Sequence, residues 1–391
     1  STYYKKLFAS NNIAISEIKT LNDLKKIPVT TKDDLYTNNK DFICVSADKI
    51  IDYVTTSGTL GDPLTFVLTD NDLERLASNE YESLTIAQGT KNDIYQLMTT
   101  IDRRFMAGIA YFLGLKKMGA GVIRVGNGMP EFQWDTIKRL NPTIAIAVPS
   151  FILKLIEYAE NNNIDFKNSS IKKIVCIGEP IRNEDFSYNT LGKRITDKWP
   201  LKLYSTYAST EMGAAFTECE FGNGGHHNPE LLIIEFLDDN NQPVKEGEPG
   251  ELTVTTLGVE GMPLIRFKTG DICKPYYETC KCGRHTTRIS PIIGRKQQMI
   301  KFKGTSLYPP ALYDILNTID YIKNYIVEVY TNDIGTDEIV INIGTINPPL
   351  NFEKDLKDHF RAKLRVAPNI ISTSPENISK RQMPEMSRKP I

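Results

Sequence analysis

From about residue 94 to residue 210, short β-branched runs alternate with helix-period segments, and no other feature restricts the fold of this chain as much. The pattern predicts strands at 94–100, 121–125, 143–148, 172–177 and 201–206, with helices between them, for example at 103–118 and 150–162. Strands separated by helix-length crossovers have room to run parallel, so an α/β domain with a largely parallel sheet is expected. Ahead of it, residues 16–40 read as helix and turn. Pro28 ends one helix, Thr31 offers an N-cap for the next, and Asp34 follows three residues on as a near capping box.

The texture changes after residue 230. The runs "ELLIIEFLD", "GELTVTT" and "MPLIRFKTGDICKPYY" read as strands, and "DDNNQPVKEGEPG" carries dense turn signals between two of them. A β-rich subdomain over about 215–293 is expected. From Gly294 the pattern reads strand (299–302), helix (309–317), strand (323–330), strand (337–343), helix (352–364) and strand (369–373). That βαββαβ order makes a small self-contained α+β unit. The expected division is a domain over 1–293 and a second over 294–391, with the boundary near 290–298.

Apolar residues make up 40% of the 391 and charged residues 24%, which excludes a disordered or fibrous chain. The formal net charge of −1 gives no basic field for nucleic acid or an anionic membrane, and no apolar run reaches the length of a membrane span. The N-terminal "STYYKKLFAS" has neither a signal-peptide core nor an initial Met, so a trimmed or processed chain is expected. Six cysteines in a chain this long are too few for a disulfide scaffold, so a reducing, cytoplasmic setting is expected.

The segment "YVTTSGTLGDPL", Tyr53 to Leu64, gathers the hydroxyls of Thr55, Thr56, Ser57 and Thr59 around Gly58 and Gly61. Glycines let a backbone approach a phosphate, and N–H groups and hydroxyls can then donate to it. A solvated hairpin turn explains the same composition. The segment lacks the Gly-Lys-Ser/Thr of the common P-loop and has Asp62 where a lysine would help, which argues against an ATPase of that class.

Three further segments follow in order: "YSTYASTEMG", holding Tyr207-Ala208-Ser209-Thr210-Glu211; "PLIRFKTGD", ending at Asp271; and "IIGRKQQMIKFKG", Ile292 to Gly304. Together with the hydroxyl-rich loop they resemble the adenylate-forming superfamily of acyl-CoA synthetases and adenylation domains. Residues 56–63 are similar to that family's Ser-Ser-Gly-Thr-Thr-Gly-Lys-Pro loop. Residues 207–211 are similar to its Tyr-Gly-x-Thr-Glu, with Ala208 for Gly, 269–271 to its Thr-Gly-Asp, and 294–301 to its Gly-Arg-x-Asp-Asp-x-Ile-Lys. "IPVTTKDDL", "IGEP" at 177–180, "GMPLIRFKTGDI" and "CKCGR" at 280–284 resemble the phenylacetate–CoA ligase branch, and the likeness runs from about Tyr3 to the C-terminus.

The resemblance implies an ATP-dependent two-step reaction, in which a small carboxylic acid forms an acyl-adenylate and coenzyme A then displaces AMP. An aryl or arylacetic acid is the substrate class it suggests, and a homodimer is compatible with it. It implies that Thr56, Ser57, Gly58, Thr59 and Gly61 hold the β- and γ-phosphates, Glu211 holds Mg²⁺, and Thr210 donates to the α-phosphate. Gly178, Glu179 and Pro180 would form a backbone wall for the adenine, with Tyr207 stacked on it. Asp271 would take both ribose hydroxyls, and Arg295 would approach ribose or phosphate. By type alone, Glu211 also reads as a solvated surface acid, Asp271 as a turn residue and Arg295 as half of a surface ion pair. The bridging lysine of the family is matched best by Lys389 in "KRQMPEMSRKPI", with Lys380 as a weaker match. The second domain would be mobile, pivoting at Gln297 where the family has Asp, and Lys303 and Gly304 would enter the site for thioester formation. Phe132, Ala147, Phe151 and Ala208, in or near "GNGMPEFQ" and "AIAVPSF", would line an apolar acyl slot, and core packing explains them equally well.

Cys219, His226, Cys280 and Cys282 form a plausible Cys₃His set, soft ligands suited to a structural Zn²⁺ such as relatives of this branch can carry. Only one of the adjacent His226 and His227 can face a metal from an extended strand, and the resemblance favours His226. Cys273 is the reserve ligand, Cys44 and Cys176 read as packing residues, and unliganded reduced thiols are the alternative. Transfer to a carrier protein or an amine instead of coenzyme A, and a non-catalytic nucleotide-binding member, remain open readings.

Overall fold

The computed structural model describes residues 1–56, 64–302, 305–331 and 337–382. Ser57, Gly58, Thr59, Gly61, Asp62, Lys303, Gly304 and Lys389 lie outside the described residues. The chain divides into two compact units, Ser1–Ile292 and Ile293–Ile391.

In the first unit, β1 (Asp52–Thr55) and β2 (Thr65–Leu68) form an antiparallel hairpin that flanks residues 57–63. Five strands then build the parallel sheet: β3 (Ile94–Leu97), β4 (Gly121–Arg124), β5 (Ile144–Ala147), β6 (Lys173–Cys176) and β7 (Lys202–Ser209). Each overlaps a run expected from the sequence. Their order, β4-β3-β5-β6-β7, reverses direction between β3 and β5, so the crossover helices cover both faces. On one face Pro130–Leu140, Pro149–Asn161 and Thr190–Lys198 bury Trp134, Ile152, Leu155 and Trp199. On the other, Asp70–Ile86 and Met106–Met118 bury Leu84, Tyr111 and Leu115. Burying one such large side chain contributes about 1.5–3 kcal/mol, which makes the two helical layers the main support of the sheet. The β5 run is buried on both faces because it lies at the centre of this sandwich.

The β-rich stretch is divided between two sheets. Strands β8 (Ala214–Glu218) and β9 (Gly225–His226) extend the parallel sheet antiparallel from β7. Next, β10 (Leu232–Leu237), β11 (Gly250–Thr256) and β12 (Phe267–Cys273) pair in sequence as an antiparallel meander. Then β13 (Pro275–Tyr276) and β14 (Arg288–Ile289) return to the outer edge of the main sheet, β14 pairing with β9. The sequence marked β10, β11, β12 and β13 as strand runs but not β8, β9 or β14, and it carried no pairing information, so the return of β13 and β14 was not expected.

Thr31 caps the helix Lys32–Thr37, accepting from the Asp34 N–H at 3.2 Å while the Asp34 carboxylate accepts from the Thr31 N–H at 2.8 Å. Before Pro28 the chain makes 3-10 turns at Ile15–Glu17 and Leu21–Lys26 in place of the expected helix. Cys44 is exposed, which corrects its expected packing role, whereas Cys176 is fully buried. All six cysteines are unbridged. Among the described residues, no helix is long and apolar enough to cross a membrane.

The second unit has its own core, with Leu312, Ile341, Ile343, Leu356 and Phe360 at its centre. The expected elements appear at Ile300–Phe302, Pro309–Asn317, Ile322–Thr331, Asp337–Thr345, Phe352–Leu364 and Asn369–Thr373. Further elements were not expected, among them the short strand Gly294–Arg295 and the 3-10 turn Lys296–Gln298. The short strand Thr305–Leu307 pairs with Ile300–Phe302 as a separate hairpin, and the helix Pro375–Gln382 follows the last strand.

Candidate active site and metal cluster

The turn between β7 and β8 carries Thr210 and Glu211 at the C-terminal end of the parallel sheet, the edge at which open α/β sheets bind ligands. Two residues from the first 80 hold this turn, and neither stood out in the sequence. Arg75 is buried and donates to Gly213 O at 2.6 Å, Leu231 O at 2.7 Å and Leu257 O at 2.6 Å. Burial pushes its guanidinium down to about 10, with nearby Asp72 opposing the shift. Lys32 reaches Glu211 directly, its Nζ 3.2 Å from Oε1. Lys32 is aimed there because Thr30 bridges β12 in parallel, donating its N–H to Arg266 O at 2.9 Å and accepting from the Lys268 N–H at 2.8 Å. Glu211 is only 9% exposed, so its carboxylate is sheltered and already paired with the Lys32 ammonium.

Four residues before Glu211, the Tyr207 hydroxyl donates to Asp271 Oδ2 at 2.6 Å. Burial, reinforced by that carboxylate, pushes the phenol well above its usual range. The contact joins β7 of the main sheet to β12 of the meander, so Asp271 and Glu211 face the same strand end. Gly270, at φ +80°, lets β12 turn there, and the Thr269 hydroxyl accepts from the Asp271 N–H at 3.1 Å. The Tyr207 ring lies against Phe216, with centroids 6.0 Å apart.

Gly178, Glu179 and Pro180 follow β6 at the same edge. Gly178 has φ +76°, and Glu179 folds back so that its carboxylate accepts from the Ser150 N–H and hydroxyl, both at 2.8 Å. Ser150 lies in the first turn of Pro149–Asn161, where an anion suits the helix dipole. Asn189 donates to Pro180 O at 2.9 Å, so the strap is fastened on both sides.

Thr55 is buried in β1, and the Thr56 hydroxyl accepts from the Leu64 N–H at 3.0 Å across the hairpin. The four expected acyl-slot residues do not share one environment. Ala147 is fully buried in the core and Phe151 packs against the same cluster, whereas Phe132 is 49% exposed and Ala208 is exposed on β7. The structure therefore favours the core-packing explanation for Ala147. In the second unit, Arg295 is half-buried in the short strand Gly294–Arg295, Gln297 lies in the 3-10 turn Lys296–Gln298, and Lys380 is exposed on Pro375–Gln382.

On the outer edge of the main sheet, Cys219, His226, Cys280 and Cys282 present ligand atoms all within 4.8 Å of one another. Cys219 Sγ is 3.7 Å from Cys280 Sγ, and Cys282 Sγ is 3.6 Å from His226 Nε2. Gly283, at φ +87°, closes the turn that sets Cys280 and Cys282 side by side. Among the described residues His226 Nδ1 is buried without a hydrogen-bond partner, and the Nε2 on the other side of the ring lies against the Cys282 thiol. Burial, aided by Arg284 and Arg288, pushes His226 down to about 4, which keeps the imidazole neutral as a ligand must be. Burial works against the Cys282 thiolate, but hydrogen bonds from the Arg284 backbone and side chain outweigh it and hold the thiol below its usual value. The donor set therefore fits Zn²⁺. His227 points the other way, its Nε2 2.7 Å from Leu232 O, and Cys273 is fully buried in the core, apart from the cluster.

Residues 9–261, well over half of the chain, match the family model described as AMP-binding enzyme. The chain belongs to that family. Its relatives include the phenylacetate-coenzyme A ligase of Thermus thermophilus, 27% identical over 351 residues, covering 88% of this chain and 77% of the relative. The Escherichia coli enzyme of the same name is 28% identical over 337 residues, covering 83% and 74%. The expected likeness to that branch is thus borne out. Among solved structures, 2-hydroxyisobutyryl-CoA ligase in complex with 2-HIB-AMP superposes with a TM-score of 0.83 at 21% identity, over 96% of this chain and 82% of that one. This likeness extends the family's α/β fold across both units.

Proposed function

We propose that this protein is an AMP-forming carboxylic acid–CoA ligase acting on an aryl or arylacetic acid such as phenylacetate. The observation that carries the reading is the Tyr207–Asp271 contact at the strand end that also bears Glu211, in a chain whose relatives are phenylacetate-coenzyme A ligases. Asp271 has two acceptor oxygens, which suits a pair of ribose hydroxyls. The strap at 178–180 would give the adenine a fixed backbone edge, with Tyr207 beside it. Thr56, Ser57, Gly58, Thr59 and Gly61 would donate to the outer phosphates and Thr210 to the innermost one.

The first step brings a carboxylate onto a polyanion, so positioning and charge neutralisation dominate it. Glu211 would hold Mg²⁺, which when bound supplies neutralisation of phosphate charge. Lys32, already 3.2 Å from Glu211, would add a cation that the hydroxyl-rich loop lacks. Lys389 would bridge the attacking carboxylate and the phosphate. Arg295 would approach ribose or phosphate. The second unit would pivot at Gln297 and bring Lys303 and Gly304 in for the thioester step. Phe132, Phe151 and Ala208 are the acyl-side residues of this reading. The Cys₃His cluster would hold a structural zinc, since its four protein ligands leave no open position.

The test is pyrophosphate and AMP release from aryl acids, with and without coenzyme A. The ligase reading expects CoA-accelerated turnover. An adenylate that forms without any acceleration by CoA points to a carrier-protein or amine acceptor. ATP binding with no pyrophosphate exchange points to a non-catalytic member.

A further inference from the structure

The strap at 178–180 follows β6, the Cys₃His cluster is built on β8 and β9 of the same sheet with β7 between them, and an ion pair connects the two. Glu218 is the last residue of β8 and immediately precedes Cys219. Its carboxylate accepts from Arg182 Nε at 2.5 Å and from Nη2 at 2.9 Å, a bidentate pair in which Glu218 is buried and Arg182 largely so. Arg182 stands two residues beyond Pro180. Its Nη1 donates to Phe186 O at 2.8 Å, and its guanidinium lies 4.4 Å from the Tyr188 ring centroid.

The loop from Cys219 to His226 closes over this guanidinium. A Cβ on Gly222, at φ +63°, would lie 2.2 Å from Arg182 Nη2, so the loop backbone touches the arginine where only glycine fits. The loop is held in turn from the far side of the cluster, where Arg288 on β14 donates to Asn223 O at 2.5 Å. The strap, already held at Pro180 O by Asn189, is therefore fastened at two further places. Glu179 ties it to the helix Pro149–Asn161, and Arg182 ties it to the strand and loop that supply Cys219 and His226.

We propose that Arg182 is a positioning residue that makes nucleotide affinity depend on the occupied metal cluster. A zinc ion joining Cys219 and His226 to Cys280 and Cys282 fixes the 219–226 loop over Arg182. The Arg182–Glu218 pair then fixes the strap against which the adenine rests. The inference depends on the adenylating function proposed above and adds to it a remote determinant of ATP binding.

The experiment uses the full chain purified with its zinc, measured by metal analysis and by calorimetric titration with ATP and Mg²⁺. Chelation followed by buffer exchange is expected to weaken ATP binding about tenfold, the order of one hydrogen-bonded charge pair, and re-added zinc to restore it. Arg182→Lys keeps the charge but loses the two-pronged contact, so it is expected to keep its zinc, raise the KM for ATP about tenfold and leave the KM for the acid unchanged. Glu218→Gln, which retains the shape of the acceptor, is expected to fall between wild type and Arg182→Lys. A protein that takes up no zinc, or one that binds ATP equally well with and without it, overturns the proposal. So does an Arg182→Lys variant that changes both Michaelis constants alike. Holoenzyme that binds no ATP at all overturns the adenylating function itself, an outcome distinct from the loss of coupling.

Discussion

The Tyr207 hydroxyl donates 2.6 Å to Asp271 Oδ2 and so ties the end of the parallel sheet to the meander. A carboxylate has two acceptor oxygens and Tyr207 donates to one of those of Asp271. A charged acceptor and a neutral donor make two substitutions unequal.

Asp271→Asn keeps the size of the side chain but replaces a charged acceptor, so KM for ATP is expected to rise about 10- to 100-fold. Tyr207→Phe removes one neutral donor and keeps the charged acceptor, so the rise is expected to be only severalfold. Steady-state kinetics with ATP varied at saturating acid check this order. A larger effect in Tyr207→Phe than in Asp271→Asn contradicts it.

The Lys32–Glu211 pair predicts a split between two ligands. In the absence of nucleotide the ammonium 3.2 Å from Oε1 competes with a metal ion for the same carboxylate. Lys32→Met is expected to lower the Mg²⁺ concentration for half-maximal activity while raising the KM for ATP about five- to tenfold, since a cation near the phosphates is lost. Titrating Mg²⁺ at fixed ATP, then ATP at saturating Mg²⁺, separates the two. Parallel movement of both constants would mean that Lys32 only supports the fold.

These contacts also mark where the sequence stopped being informative. Strands such as Ile144–Ala147 and the Thr31 cap were legible because β-branched runs and capping residues act over a few positions. The metal cluster was legible from residue type, because few side chains other than Cys and His suit a soft ion. Lys32 and Arg75 were not legible, since their partners lie 138 or more residues away and nothing near them differs from a helix surface. Ala147 was ambiguous for the opposite reason. A small apolar residue reads the same in a core and in a pocket, and burial alone separated the two.

Arg75 supplies a prediction about stability. Its three donors satisfy three partly buried carbonyls, one of them on the turn that carries Glu211. Arg75→Lys offers a single ammonium in place of the fork; Leu231 O keeps the Leu257 N–H, but Gly213 O and Leu257 O lose the fork at about 1–3 kcal/mol each. A loss of about 2–4 kcal/mol in urea unfolding is expected, accompanied by a lower kcat because Gly213 is released. A variant with full kcat would separate the turn from the guanidinium.

Glu80 makes the fold itself sensitive to pH. It sits in Asp70–Ile86 facing Gly114, where a Cβ would come 2.3 Å from its own, and its Oε2 is buried without a partner. Burial pushes the carboxyl up to about 8 from an ordinary 4.5, against a hydrogen bond from Asn79 that favours the charged form. Between these two values the folded chain binds a proton that the unfolded chain has lost. The stabilisation is therefore complete below about pH 4.5 and disappears as pH rises through 8. By pH 9 the ionised carboxylate, held by Asn79 at Oε1 alone, costs about 3–5 kcal/mol, an upper bound because water can enter on ionisation. Thermal unfolding is expected to show a midpoint that falls by several degrees between pH 6 and pH 9. Glu80→Gln keeps the shape and the acceptor for Asn79 but cannot ionise, so its midpoint should change less over that range and exceed that of the wild type at pH 9. Equal pH dependence in the two proteins would place the titrating group elsewhere.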